Sequence, residues 1–380
     1  MDDDDRFGTD LLAPLRAEPR GPSAVDVRRA VVRGERRQAT IRAAGAAAAV
    51  LVALGGGWVL TGPRASGPAP GPAATPAGPP VPSACVPKAL GTPPEFTKIA
   101  QVDGGDPTGR YQVGLVANGQ TGIWVLWDRG EAHPLDPRAL YAADVNANGA
   151  VVGTSWADEN QKDGVAWTER DGRFQELAGA HATAAGINDR GQIAGTVAGK
   201  PVTWASADSP PVELEVPAPY DTPARVNGID EDGTVVGGLF RNGFYVPVVW
   251  TSDGRFQALT VPRGDGVFPN LTADGIRNGW VIGRSGDKTV RWDLRSGARP
   301  TLVSGGYNAM GPNSSGWLVW QVFPGAELRA GDARISLRMP AQTSGTSLIQ
   351  PKTISDDGRT IAGEVPNDQS GSTAYLWTCR

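Results

Sequence analysis

An all-β fold, a seven-bladed β-propeller with six or eight blades as the alternatives, is predicted by three observations. First, one phrase recurs seven times. It stands as TAAGINDRGQIAG from Thr183, YAADVNANGAVVG from Tyr141, VNGIDEDGTVVG from Val226, LTADGIRNGWVIG from Leu271 and PKTISDDGRTIAG from Pro351, with worn copies DPTGRYQVG from Asp106 and NAMGPNSSGWLVW from Asn308. Each reads as a short strand, a tight turn and a second strand, because apolar residues alternate on both sides of an Asn/Asp/Gly cluster. Second, the 380 residues include 51 Gly and 32 Pro, a load that suits many short strands rather than long helices. Third, an aromatic closes the third strand of most units: Trp127, Trp167, Trp204, Trp250, Trp292 and Trp377, with only Leu328 and Arg329 on offer in the sixth. The turn glycines Gly109, Gly149, Gly191, Gly233, Gly279, Gly316 and Gly358 are spaced 37 to 46 residues apart. That is the length of one four-stranded blade.

Taken in order, residues 1–42 form a polar cytoplasmic tail, largely disordered, because charge without aromatics cannot bury enough surface to order a chain. Residues 43–61 are an uncharged, Ala- and Gly-rich run, long enough as a helix to cross a membrane. Arg28, Arg29, Arg33, Arg36, Arg37 and Arg42 precede it and only Arg64 follows closely, which places the N-terminus in the cytoplasm. A cleaved signal peptide is the rival, but such a peptide starts nearer its basic region. Residues 62–84 are a Pro/Gly/Ala-rich spacer, semi-rigid and extended, that holds the rest away from the membrane.

Residues 85–380 are the extracytoplasmic propeller. Its last unit stops after a third strand, Tyr375 to Trp377, while a spare strand, Cys85 to Leu90, stands ahead of the first unit. Pairing the two completes the final blade and removes an exposed edge. Cys85 and Cys379 then meet, and an oxidising compartment makes them a disulfide. The tryptophans are expected between blades, where twisted sheets need large apolar rings.

The units GINDRGQIAG, VNANGAVVG and GIDEDGTVVG, with their G-x-A-x-W and P-V-x-W strands, resemble the extracellular HAF repeats of bacterial surface proteins, over roughly Pro94 to Trp377. The His-Ala-Phe triad itself is absent, its place taken by Val165-Ala166-Trp167 and similar triplets. The resemblance implies an extracytoplasmic propeller-like domain with no assigned activity.

Net charge is −4 with no basic stripe in the repeat region, which argues against nucleic acid as a partner. Two His and two Cys are too few for a conventional zinc site, and no cofactor or metal is expected. The acidic runs Asp230-Glu231-Asp232 and Asp356-Asp357 lie in tight turns and lack the spaced ligands of a calcium loop. Recognition is expected on the variable second-to-third and fourth-to-first connections, at Trp156, Tyr220, Phe240, Arg241, Phe244, Tyr245, Phe268 and Phe323. The functional expectation is a monomeric, membrane-anchored binding module for a protein or cell-envelope glycan ligand that catalyses nothing. The alternative is a propeller hydrolase or lyase with paired carboxylates near the central channel. Against it, the inner strands AADV, AAGI, NAM and KTI are small and apolar, with acids mostly in turns.

Overall fold

The computed structural model describes residues 79–156, 163–262, 271–285, 288–303, 308–341, 348–367 and 371–380. The tail, the apolar run 43–61 and the spacer through residue 78 lie outside the described residues, as does Phe268. Among the described residues the elements are all strands, and no helix is long and apolar enough to cross a membrane. The strands form five four-stranded sheets and one eight-stranded sheet. The larger sheet consists of two sets of four, joined by a single parallel pair, Ile99 with Ser372. The sequence copies therefore map onto units 1 to 7, at 99–134, 142–176, 182–213, 221–258, 275–303, 309–336 and 350–379.

Unit 7 is completed as the sequence predicts. The strand Cys85–Ala89 pairs antiparallel with Ser372–Cys379, Cys85 opposite Cys379, and the two cysteines form a disulfide that spans 294 positions. The first strands of all seven units line one central cavity, and the second, third and fourth strands of each unit follow in order across its sheet. Trp127, Trp204, Trp250 and Trp377 are fully buried and Trp292 nearly so. Each sits in a hydrophobic cluster shared with the preceding unit, as Trp204 does with Val152 and Ala166 of unit 2. Their indole N–H groups complete the join, each donating to a carbonyl just past the preceding unit's fourth strand. The pairs are Trp127 to Gly91, Trp204 to Ala178, Trp250 to Glu215, Trp292 to Thr260 and Trp377 to Arg338, at 2.6–2.9 Å. A buried indole needs such a partner, so this bond fixes the spacing of neighbours as well as filling it.

Two units depart from the slot the sequence assigns. Trp167 pairs opposite Gly153, whereas the other tryptophans pair opposite the residue two places earlier, as Trp250 does with Val235. That position in unit 2 belongs to the buried Glu169, opposite Val151, whose Oε2 accepts the Asp136 N–H of unit 1 at 2.9 Å. The join is kept with donor and acceptor exchanged. In unit 6 the slot is held by Arg329, and its guanidinium lies 4.5 Å from the ring centre of Trp320, which stands where other units have glycine.

On the turn face, side-chain amides run from unit to unit. Asn146 Nδ2 donates to Asn188 O, Asn188 Nδ2 to Asp230 O and Asn313 Nδ2 to Ser355 O, at 2.9–3.3 Å. Asn313, part of a glycosylation sequon, is fully buried by this role and is not an acceptor for a sugar.

The last glycine of the repeated phrase is required by close approach. A Cβ on Gly195 would lie 1.9 Å from Thr183 O, and one on Gly237 1.9 Å from Arg225 O. Gly237→Ala is expected to destabilise the protein by about 2–3 kcal/mol through forced backbone movement. Gly228→Ala, whose Cβ would meet nothing nearer than 3.8 Å, should leave the thermal midpoint within a few degrees. Closing a 294-position loop contributes at most about 5–6 kcal/mol on the chain-entropy model. Cys85→Ser should lower Tm by many degrees under non-reducing conditions, and reductant should lower the wild type to match; a melt indifferent to reductant would refute the clasp.

Candidate functional site

The inner strands bring one side chain per unit toward the lumen because most of them carry a β-bulge. The register slips between Val102 and Gly104, Ala142 and Asp144, Ala184 and Gly186, Val226 and Gly228, and Pro351 and Thr353. A bulge inserts an unpaired residue and re-aims its side chain. The residues so placed are Asp103, Ala143, Ala185, Asn227 and Lys352, and all five line a central cavity of about 240 Å3 to which every unit contributes. The inner strands are therefore not uniformly small and apolar, which corrects the sequence expectation.

Units 1 and 7 meet at an acid–base cluster. Lys352 Nζ lies 3.6 Å from Glu364 Oε1, and Glu364 is 4% exposed. Its Oε2 is buried without a hydrogen-bond partner. Burial pushes the Glu364 carboxyl above its usual range; Lys352 and the Val102 N–H pull it down, and the Asp103 charge adds to the rise. Asp103 lines the lumen as an exposed residue, and desolvation by the nearby wall raises its carboxyl against the opposing pull of Lys352. Lys352 thus lies 3.6 Å from one carboxyl of raised pKa, Glu364, and its charge acts on a second, Asp103, a combination of burial and charge that marks candidate acid–base groups.

A third carboxyl, Asp144, lies on the same lumen wall in unit 2. Burial pushes it up to about 7, opposed by the N–H groups of Ile187 and Val145, which donate at 3.1 and 2.9 Å, and by the charge of Arg277. Arg277 crosses the turn-face end of the lumen. Its Nη1 bonds Glu231 Oε1 of unit 4 at 2.8 Å and its Nη2 bonds Asp356 Oδ2 of unit 7 at 2.7 Å, with the side chain 17% exposed. The acidic turns that the sequence singles out are thereby used in holding units together. Asp230 adds to this by accepting the N–H groups of Asn278 and Gly279 in unit 5.

The predicted recognition residues fall mainly into local pairs. Tyr220 packs 4.9 Å from Phe256 with Arg241 over its ring at 5.4 Å. Phe240 and Tyr245 lie 5.5 Å apart, with Arg225 over Tyr245 at 4.3 Å. Trp156 leans on Tyr141 at 5.7 Å. Phe244 and Phe323 are the exposed ones, at 45% and 65%. Asp103, Lys352 and Glu364 were missed. The signal for the first two lies in the bulge column, where V-D-G and P-K-T break a series of A-A-G and V-N-G triplets.

Neither a sequence family nor a characterised protein sequence matches the chain. Solved structures do. A streptogramin B lyase shares 12% identity at a TM-score of 0.50, covering 78% of this chain and 98% of its own. A chain of a mitotic checkpoint complex shares 12% at 0.48, covering 86% and 99%. Virginiamycin B lyase from Staphylococcus aureus shares 14% at 0.46, covering 77% and 98%. At these identities the likeness conveys fold alone: an all-β architecture of the β-propeller type. It also corrects the expectation that the chain catalyses nothing, since the architecture includes a lyase and so gives no ground for setting catalysis aside.

Titration of Asp144 has a defined sign. Its folded pKa is above the unfolded value, so the folded state binds the extra proton and stability falls as pH rises from about 4 to about 7. Asp144→Asn removes that loss. Its Tm should equal the wild type's near pH 4 and exceed it at pH 8; an equal difference at both values would show that Asp144 does not carry the proton.

Proposed function

We propose that the chain is a seven-bladed propeller carried outside the cytoplasm on an N-terminal span and proline-rich spacer, and that its lumen performs acid–base chemistry of the hydrolase or lyase class. The HAF-like repeats form the scaffold. The observation that carries the reading is Lys352, which lines the central cavity together with Asp103 and lies 3.6 Å from the buried carboxylate of Glu364. Glu364, whose carboxyl burial raises and whose Oε2 is orphaned, serves as the acid. Asp103, open to the lumen, serves as the base, and Lys352 steadies negative charge that develops between them.

The chain enters the domain at the turn face, where Cys85 begins one strand and Cys379 ends its partner. Arg277 spans the lumen at the same turn face, which leaves the loop face as the way in.

Turnover by the wild type should be measured across a panel of activated glycosides, activated esters and a streptogramin B. For any substrate converted, Asp103→Asn, Glu364→Gln and Lys352→Met are each expected to lower kcat by about 100-fold or more with Tm little changed. Rates equal to wild type in all three variants would reject the assignment.

A further inference from the structure

Among the described residues seven arginines hold the guanidinium over an aromatic ring, and two of them differ from the rest. Arg110, Arg138, Arg295 and Arg329 also meet a carboxylate, that of Asp128, Asp136, Asp293 and Glu327 respectively, and Arg291 donates to the Gly316 carbonyl. Arg225 and Arg241 meet neither a carboxylate nor a carbonyl. Arg225 lies 4.3 Å from the ring centre of Tyr245 and Arg241 lies 5.4 Å from that of Tyr220, and both arginines are exposed. Both belong to unit 4, on the strands Asp221–Ile229 and Val235–Arg241. Asp221, opposite Phe240 in the pairing, is itself exposed and bonds neither guanidinium.

The sequence makes this part of unit 4 a stiff, projecting edge. The strands Val235–Arg241 and Phe244–Trp250 stay in register as far as Arg241 opposite Phe244, so Asn242 and Gly243 alone make the turn. Both have positive φ, 51° and 88°, the backbone of the two-residue turn that an Asn-Gly pair favours. All four residues from Arg241 to Phe244 are exposed, and a Cβ on Gly243 would meet nothing within 4 Å. Strand alternation puts Phe240 and Tyr245, with Arg225, on one side of the hairpin and Arg241 and Phe244, with Tyr220, on the other. The rings hold both guanidiniums flat before any partner arrives, so less rotamer freedom is lost when their outer N–H edges are used.

Unmatched guanidiniums call for carboxylates, which they hold by paired, charge-assisted hydrogen bonds. The Phe244 ring, 45% exposed, calls for an apolar side chain beside them. Small ligands are enclosed in concave sites, whereas this is an edge that stands out, and aromatic rings with arginine are the composition of protein contacts. We infer that the unit 4 hairpin is a docking edge for an acidic polypeptide segment of a partner protein. Its carboxylates engage Arg225 and Arg241 from the two sides, and an apolar side chain covers Phe244. The lumen has no part in this contact, which stands whether or not the acid–base reading does.

The test is titration of the full-length protein with labelled poly(Glu-Tyr), polyglutamate, poly(Lys-Tyr) and polygalacturonate, read by fluorescence anisotropy at about 50 and about 300 mM salt. Poly(Glu-Tyr) should bind tightest and weaken as salt rises. Arg225→Gln and Arg241→Gln should each weaken it by about 5-fold or more and Phe244→Ala by about 10-fold. Neither guanidinium is bonded and Phe244 is exposed, so Tm should stay at the wild-type value in all three. Arg299→Gln, at an exposed arginine in the third-to-fourth turn of unit 5, should stay within about 2-fold of wild type. Absence of poly(Glu-Tyr) binding, unchanged affinity in the three variants, or an equal loss in Arg299→Gln would overturn the proposal. Tighter binding of polygalacturonate would overturn it as well and give the edge to an anionic glycan. None of these outcomes touches the roles of Asp103, Lys352 and Glu364, which turnover alone decides.

Discussion

The approach of the first strand to the second is the constraint on which the rest depends. At the bulge the first strand presses a carbonyl against the neighbouring strand so closely that only glycine fits opposite, as Gly195 does beneath Thr183 O. The same irregularity points the extra residue at the axis. The glycine that looks like turn punctuation therefore makes room for the bulges that carry Asp103 and Lys352.

Much of this architecture was legible because the turn chemistry repeats. Asn146, Asn188 and Asn313 mark turns in the sequence by their spacing from the following glycine, and they occupy turns in the structure. What could not be read was their second task, the amide reaching the next unit, because a contact between units leaves no periodic trace within one. Trp167 shows the same limit. It ends a third strand in the sequence as its counterparts do, yet the register shifts by two residues and Glu169 takes over the join to unit 1. Sequence pattern records that a large residue is present; pairing register decides which partner it meets.

The candidate site was harder still. Asp103 belongs to the most worn copy of the repeat, and Lys352 has no acidic neighbour in sequence. Their relation appears only when the ring is closed and unit 1 is brought against unit 7. By contrast, Tyr220, Phe240 and Tyr245, which sequence favours as contact residues, pack against neighbouring rings and guanidinium groups, and Phe244 and Phe323 stay exposed.

The seam between first and last units is also where the acid–base cluster sits. Asp103 is supplied by an early stretch of the polypeptide and Lys352 and Glu364 by a late one, with the Cys85–Cys379 bond fastening the strand that leads into unit 1. During synthesis, then, the reacting groups stay far apart until nearly the whole domain has emerged and docked. A partly made chain holds no such cluster.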